Sequence, residues 1–118
     1  ENHIMENIIF NELRYRGFSV DVGVVEVRGK TPDGKEVRKQ LEIDFVANSG
    51  SKRYYLQSAF NLATPEKDAQ ERRPFLKVND SFKKIILVRD NIKIRRDESG
   101  IVTMGVLDFL LTPNSLEL

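Results

Sequence analysis

The chain has 118 residues, which is the length of one domain, and its mix of 40% hydrophobic and 31% charged residues can bury a modest core. Its 19 basic and 18 acidic residues nearly cancel, so the overall charge gives no sign of the clustered basic field that accompanies tight phosphate binding. The absence of cysteine excludes disulfide frameworks and cysteine-based zinc sites, and it fits a cytoplasmic location. No apolar run approaches the roughly 18 residues of a membrane-spanning helix, so we expect no membrane partner.

An amphipathic helix is predicted over residues 4–16. Four apolar side chains recur there at helical spacing between charged ones: Ile4, Ile8, Ile9 and Leu13. Gly17 is well placed to end the helix in a left-handed conformation. Because the chain opens on Glu1 and enters this pattern at once, we expect residues 1–118 to be a fragment from the C-terminal part of a longer protein.

Three strands are predicted next. Branched side chains favour strands over residues 18–30 and 36–48. The segment Thr31–Gly34 between them reads Thr-Pro-Asp-Gly, a strong turn signal, and therefore predicts a hairpin. A second turn, at residues 48–51, precedes a third strand over residues 53–60.

The rest of the chain predicts a helix, a strand and a small β unit. Thr64 and Pro65 suit a helix start, and we expect Pro74 to interrupt the helix, with a second helical piece reaching about residue 81. The continuous apolar run within residues 84–89 predicts a central strand that is covered on both faces.

Two weaker strands, near residues 92–94 and 101–104, and a final helix over residues 106–111 complete the prediction. The order is helix, three strands, helix, strand, then the small β unit and helix. This order predicts an α/β domain in which a central mixed β-sheet is flanked by helices.

Three polar residues lie where a buried sheet would favour apolar ones or where a helix meets it. Glu6 projects from the first helix, Asp44 lies inside the second strand, and Gln57 lies inside the third. A carboxylate on one strand beside a polar group on the next is a recurring way to hold Mg²⁺, which prefers oxygen ligands. Such an ion activates water and neutralises charge on a phosphate. Asp44 and Gln57 are therefore the candidate metal ligands.

Strand alternation predicts which side chains share a face. On the second strand, Asp44 points to one face while Ile43 and Phe45 point to the other. On the third strand, Gln57 and Ala59 lie on the same face.

The pattern resembles the PD-(D/E)XK, or restriction-endonuclease-like, superfamily. Its members carry an acidic residue on the first helix, an Asp on the second strand and an (E/Q)-x-K motif on the third. Glu6, Asp44 and Gln57 match these positions, so the resemblance implies that they derive from catalytic residues. The chain departs from the motif at Ala59, which stands where the family has Lys. Losing one such preorganised donor typically costs about 2.7–4 kcal/mol of transition-state stabilisation, so the resemblance implies a fold that has lost its nuclease activity.

A closer resemblance runs through nearly the whole chain. Six segments are similar to a C-terminal domain of unassigned function that is found on many prokaryotic AAA+-type P-loop ATPases: His3–Leu13, Arg16–Phe18, Glu42–Phe45, Tyr55–Gln57, Glu71–Lys77 and Val106–Leu111. This resemblance implies an upstream ATPase domain in the same chain. No G-x-x-x-x-G-K-[ST] loop occurs in these 118 residues. We therefore expect ATP to be a cofactor only through that upstream domain.

Each candidate residue also has a structural interpretation. Asp44 can cap a turn or pair with a lysine, Gln57 can be a hydrogen-bonded amide in the core, and Glu6 can be an ordinary exposed helix residue. Conversely, a cation at another position, such as Arg72 or Lys52, can replace the missing lysine and preserve catalysis.

Two basic regions are candidates for contacting nucleic acid. A phosphate-contacting face beside the second helix can be lined by Arg72, Arg73, Lys77, Lys83 and Lys84, although the edge of a solvated helix has the same composition. The hairpin around residues 28–39 carries five basic side chains and can reach a DNA groove, or it can protect a sheet edge by its charge.

Three functions are compatible with these patterns. The first is a non-catalytic accessory domain of a P-loop ATPase that binds nucleic acid or a protein partner. The second is an active Mg²⁺-dependent DNA nuclease, and the third is a structural module that forms a homodimer. We expect the first.

Overall fold

The computed structural model describes residues 2–118. Its elements in chain order are α1 (Asn2–Tyr15), β1 (Ser19–Lys30), β2 (Glu36–Ser49), β3 (Lys52–Ala59), α2 (Pro65–Leu76), β4 (Lys83–Val88), β5 (Arg95–Arg96), β6 (Val102–Gly105), α3 (Val106–Leu111) and a 3₁₀ turn at Ser115–Glu117. They form an α/β fold in which a six-stranded mixed sheet is flanked by helices, as the sequence predicts.

The sheet combines an antiparallel and a parallel half. Its strand order is β1-β2-β3-β4-β6-β5. The first three strands form an antiparallel meander, because short turns join them. β4 and β6 then run parallel to β3, each reached by a longer connection, and β5 pairs antiparallel with β6 at the far edge.

The outer ends of β1 and β2 form a projecting hairpin, here called the arm. In the arm, Glu26–Lys30 pairs with Glu36–Gln40. Pairing of β2 with β3 covers Phe45–Ser49, so within residues 2–118 the arm is a two-stranded ribbon with no third strand beside it.

Two apolar cores lie on opposite faces of the sheet. One core packs α1 and α3 against the sheet, and the other packs α2 against it. The central strand β4 serves both, since Ile85 and Leu87 enter the first core while Ile86 and Val88 enter the second. This confirms the prediction of a strand that is covered on both faces.

Two predicted elements differ from the structure. α2 continues through Pro74, which lies in its last turn, where a missing N–H removes a single helical bond. The helix then ends at Leu76, and the second helical piece predicted to reach residue 81 is absent from the described chain. The backbone N–H groups of Lys77 and Val78 each donate to a carbonyl three residues earlier, which closes the helix with a tight turn.

The strand expected near residues 92–94 is instead the two-residue β5, at Arg95–Arg96.

The end of α1 is tied to the C-terminal elements by one guanidinium. The side chain of Arg16 is 12% exposed and bonds Glu12 at 2.7 Å. It also donates to Ser115 Oγ at 2.8 Å and to the carbonyl oxygens of Phe109 and Thr112. Gly17 follows with φ 94°, the left-handed conformation expected at this helix end.

No helix within residues 2–118 is both long enough and apolar enough to cross a membrane.

Replacing Arg16 with Lys tests this connection. We expect Arg16→Lys to lower the free energy of unfolding by about 2 kcal/mol, because an ammonium cannot reproduce the planar set of charged hydrogen bonds. Urea denaturation monitored by circular dichroism measures the change. Arg14→Lys, at an exposed position two residues away, is the matched control and should change stability by under about 0.5 kcal/mol. Equal losses in the two variants would show that the contacts of Arg16 contribute no special stability.

Candidate functional site

Asp44 lies in a β-bulge. Where β1 has one residue, Val22, the opposing segment of β2 has two, Asp44 and Phe45. Bulges of this kind redirect side chains and recur beside functional sites. Gly23 follows Val22 on β1, and a Cβ there would come within 2.8 Å of the Val46 side chain, so the close approach of the two strands requires glycine.

The bulge overturns the predicted alternation on β2. Ile43 packs in the core beneath α2, whereas Phe45 packs in the core beneath α1 and α3. The prediction that both point to one face, opposite Asp44, is wrong because the extra residue at the bulge breaks the two-residue period.

Reciprocal side-chain hydrogen bonds hold β2 and β3 together where their regular pairing ends. The last regular pair is Phe45 with Leu56. Beyond it, Gln57 Oε1 accepts a hydrogen bond from the backbone N–H of Asp44 at 2.7 Å. In return, Asp44 Oδ2 accepts from the backbone N–H of Ser58 at 2.8 Å and from its hydroxyl at 3.3 Å. We call these bonds the strand clamp. The structure thus brings Asp44 and Gln57 together on adjacent strands, as the sequence predicts.

Gln57 is a hydrogen-bonded core amide. Its side chain is 4% exposed and faces α2, where Nε2 donates to the carbonyl oxygen of Glu71 at 3.3 Å. Ala59 packs in the same core, which confirms that it shares a face with Gln57. Both polar atoms of the amide therefore have partners, and the amide lies beneath the second helix rather than the first.

Two carboxyl groups near the strand clamp, those of Asp44 and Glu71, have raised pKa values. Burial raises the pKa of Asp44, Ser58 opposes this shift through its hydrogen bonds, and the charge of Glu42 adds to the rise. Burial also raises the pKa of Glu71 to about 7, and the negative charge of Asp44 contributes to that rise. Glu71 was not singled out from the sequence, because helical periodicity alone did not show that its side chain faces the sheet.

Glu6 meets Asp44 across a cleft. The cleft has a volume of about 370 Å³ and runs between α1, β1 and β2. Its described lining includes four acidic side chains: Glu6, Asp21, Glu42 and Asp44. The side chain of Glu6 is 41% exposed, with the imidazole of His3 at 3.9 Å. Gln57 does not line this cleft, so the three predicted site residues do not form one cluster.

Neither proposed replacement cation reaches the site. Arg72 Nε bonds Asp68 at 2.9 Å, and its Nη1 bonds Asp97, so this guanidinium joins α2 to the loop before β6. Lys52 begins β3, five residues from Gln57, which places it about 16 Å away along an extended strand. Lys67 is a cation that the sequence did not single out: it lines a groove of about 240 Å³ together with Ser58, Ala59 and Glu71.

The residues present do not fit a preformed Mg²⁺ site. Across residues 2–118, no group of three or more His, Asp and Glu side chains is arranged to hold a metal ion. In the two predicted ligands, Gln57 Oε1 and Asp44 Oδ2 already accept hydrogen bonds from the protein.

The two basic regions differ in how much of their charge is balanced. At the end of α2, Arg73 and the following Lys77 are exposed, whereas Arg72 is held in its ion pairs with Asp68 and Asp97. On the arm, two ion pairs cross between the strands: Arg28 with Glu36 at 3.8 Å and Arg38 with Glu26 at 3.5 Å. Contact of either region with nucleic acid remains a prediction.

Comparison with known proteins finds one longer protein with a similar sequence. A protein of Haemophilus influenzae, described as uncharacterized, is 34% identical over 107 residues, which are 91% of this chain and 22% of the relative. The chain thus spans about a fifth of the length of the relative that it matches. No protein-family model matches the chain, and no solved structure matches it significantly.

Removing the amide of Gln57 tests the strand clamp. Gln57→Met keeps the approximate shape but leaves the Asp44 N–H without its acceptor, so we expect the free energy of unfolding to fall by about 2 kcal/mol. Urea denaturation measures this loss. Gln40→Met, on the exposed arm, is the control and should change stability little. If the two variants unfold at the same urea concentration, the clamp contributes nothing to stability.

The raised pKa of Glu71 predicts a pH dependence. Because its folded-state pKa, about 7, lies above the ordinary value of 4.5, folding favours the protonated acid. This contribution is complete below pH 4.5 and is lost as the pH rises through 7. Since the group is only half-buried, we expect a loss on the order of 1 kcal/mol between pH 5 and pH 8. Glu71→Gln should remove that loss in urea titrations, whereas Glu98→Gln, in an exposed turn, should retain it; an unchanged slope in Glu71→Gln would contradict the assignment.

Proposed function

We propose that this chain is a non-catalytic accessory domain of a larger P-loop ATPase, with a degenerate restriction-endonuclease-like fold, that binds a protein partner. The strand clamp is the observation that carries the proposal. It uses the side chains of Asp44 and Gln57 to hold two strands together, which is a structural task.

The order and pairing of the elements support the proposed fold. A helix, a three-strand antiparallel meander, a second helix and a parallel fourth strand follow one another, which is the order of the family core that the sequence resembles. Asp44 and Gln57 also lie at corresponding places on adjacent strands, at the point where the two strands separate.

The environment of the motif supports the loss of catalysis. Ala59, in the place of the family's lysine, is 6% exposed and packs in the core beneath α2. The amide of Gln57 is sealed between β2 and α2 by hydrogen bonds at both of its ends. A substrate phosphate would meet neither a cation at position 59 nor a free amide at position 57.

The charge of the cleft favours a protein partner over nucleic acid. Its four acidic side chains, Glu6, Asp21, Glu42 and Asp44, repel a phosphate backbone unless cations intervene. A basic or polar protein surface is the better electrostatic match. The length of the H. influenzae relative supports membership in a larger polypeptide.

The active nuclease is the second candidate, and one observation favours it. Lys67 and Glu71 line the groove beside Ser58. The negative charge of Asp44 contributes to the raised pKa of Glu71. A lysine on α2 could thus stand in for the missing one on β3.

A plasmid-cleavage assay separates the two candidates. We expect the protein to leave supercoiled plasmid intact in Mg²⁺ or Mn²⁺, and Asp44→Asn to behave the same way. Metal-dependent nicking that disappears in Asp44→Asn and Lys67→Ala, but persists in Glu98→Gln, would instead establish a nuclease.

A binding assay separates protein from nucleic acid as the partner. We expect fluorescence anisotropy with short duplex DNA to show no saturable binding at physiological salt. Saturable binding that weakens steeply with salt, and weakens further in Lys77→Glu, would identify nucleic acid as the partner.

A further inference from the structure

α1 presents apolar side chains on two of its faces. Met5 and Ile9 are buried against the sheet, as expected for an amphipathic helix. Ile4 and Ile8 are 65% and 42% exposed, one turn apart on the outside. An ordinary surface helix has polar side chains on its outer face, so the second apolar stripe, formed by Ile4 and Ile8, is unusual.

α3 presents a matching apolar surface. Phe109 is fully buried beneath this helix, whereas Leu107 is 51% exposed and Leu111 is 78% exposed. Ile4 and Ile8 of α1 and Leu107 of α3 line a common groove of about 340 Å³, which also reaches Phe60 just after β3, whereas Leu111 lies outside it. We call this the α1–α3 groove.

The chemistry of the α1–α3 groove differs from that of the acidic cleft. Its walls are aliphatic: Ile4, Met5, Ile8, Val106, Leu107 and Leu110. Among its described lining residues the one charged side chain is Arg89, whose guanidinium lies 4.1 Å from the centre of the Phe60 ring. An apolar protein surface therefore suits this groove.

We propose that the α1–α3 groove is the surface on which another domain of the same longer polypeptide docks. This inference rests on the proposed function, in which the chain belongs to a larger protein. The H. influenzae relative supports it, because the matched region is 22% of that relative and leaves most of its length for other domains.

The small extent of the groove favours a tethered partner over a second copy of the chain. A stable interface between separate proteins involves roughly 20–30 residues on each side, far more than the side chains that line this groove. A covalent tether raises the effective concentration of the docking domain, to about the millimolar range where the tether is short and flexible, so a modest apolar contact suffices.

Thiol labelling in the complete natural polypeptide tests the docking. The region described here has no cysteine, so Leu107→Cys introduces its single thiol there. Leu76→Cys is the matched control, because Leu76 also lies on a helix and is 59% exposed, close to the 51% of Leu107. Maleimide labelling is followed at each position by peptide mass spectrometry, over a range of protein concentrations.

We expect Leu107→Cys to be labelled at least tenfold more slowly than Leu76→Cys, at every protein concentration. Equal labelling rates would overturn the docking. Protection that disappears on dilution, together with a dimer in sedimentation, would overturn it in favour of a second copy. The plasmid assay reports on the proposed function separately, since cleavage would refute the non-catalytic role whether or not Leu107 is protected.

Discussion

The reciprocal hydrogen bonds between Asp44 and the β3 backbone, and between Gln57 and the β2 backbone, are the constraint on which the rest of the site depends. At this point β2 bulges and its regular pairing with β3 stops, so two strands would otherwise separate with unpaired backbone groups inside the protein. The side chains supply the missing partners. Because Gln57 also bonds the carbonyl of Glu71, the same arrangement fixes α2 on the sheet.

This arrangement has an electrostatic consequence. Holding Asp44 in place brings its charge toward Glu71 on one side and exposes it to the cleft shared with Glu6 on the other. Carboxyl groups from α1 and β2 thus share the cleft, Asp44 also acts on Glu71 of α2, and Arg72 is held in ion pairs with Asp68 and Asp97. A site built from such groups favours protons or positively charged partners over phosphates. Asp44 therefore contributes to the acidity of the cleft and adds to the effect of burial on the pKa of Glu71.

The sequence predicted the elements well and the site in part. Periodicity and turn residues located the helices and strands of the meander, because those signals are local. Alternation failed at Ile43 and Phe45, since a bulge depends on how β1 crosses β2 and leaves no clear mark in β2 itself. Glu71 was missed because which face of α2 packs on the sheet is a tertiary property. The pairing of Asp44 with Gln57 was predictable, because it follows from the register of a short hairpin.

The arm formed by Glu26–Lys30 and Glu36–Gln40 has a consequence for sequence divergence. Within residues 2–118 it pairs with no third strand and lies beyond both apolar cores. Shortening or lengthening both of its strands by two residues keeps every inward-facing side chain on its original side and leaves the cleft, the groove and the cores unchanged. The length of the arm can therefore vary among homologous domains. Such variation adds or removes a contact surface while the rest of the fold stays the same.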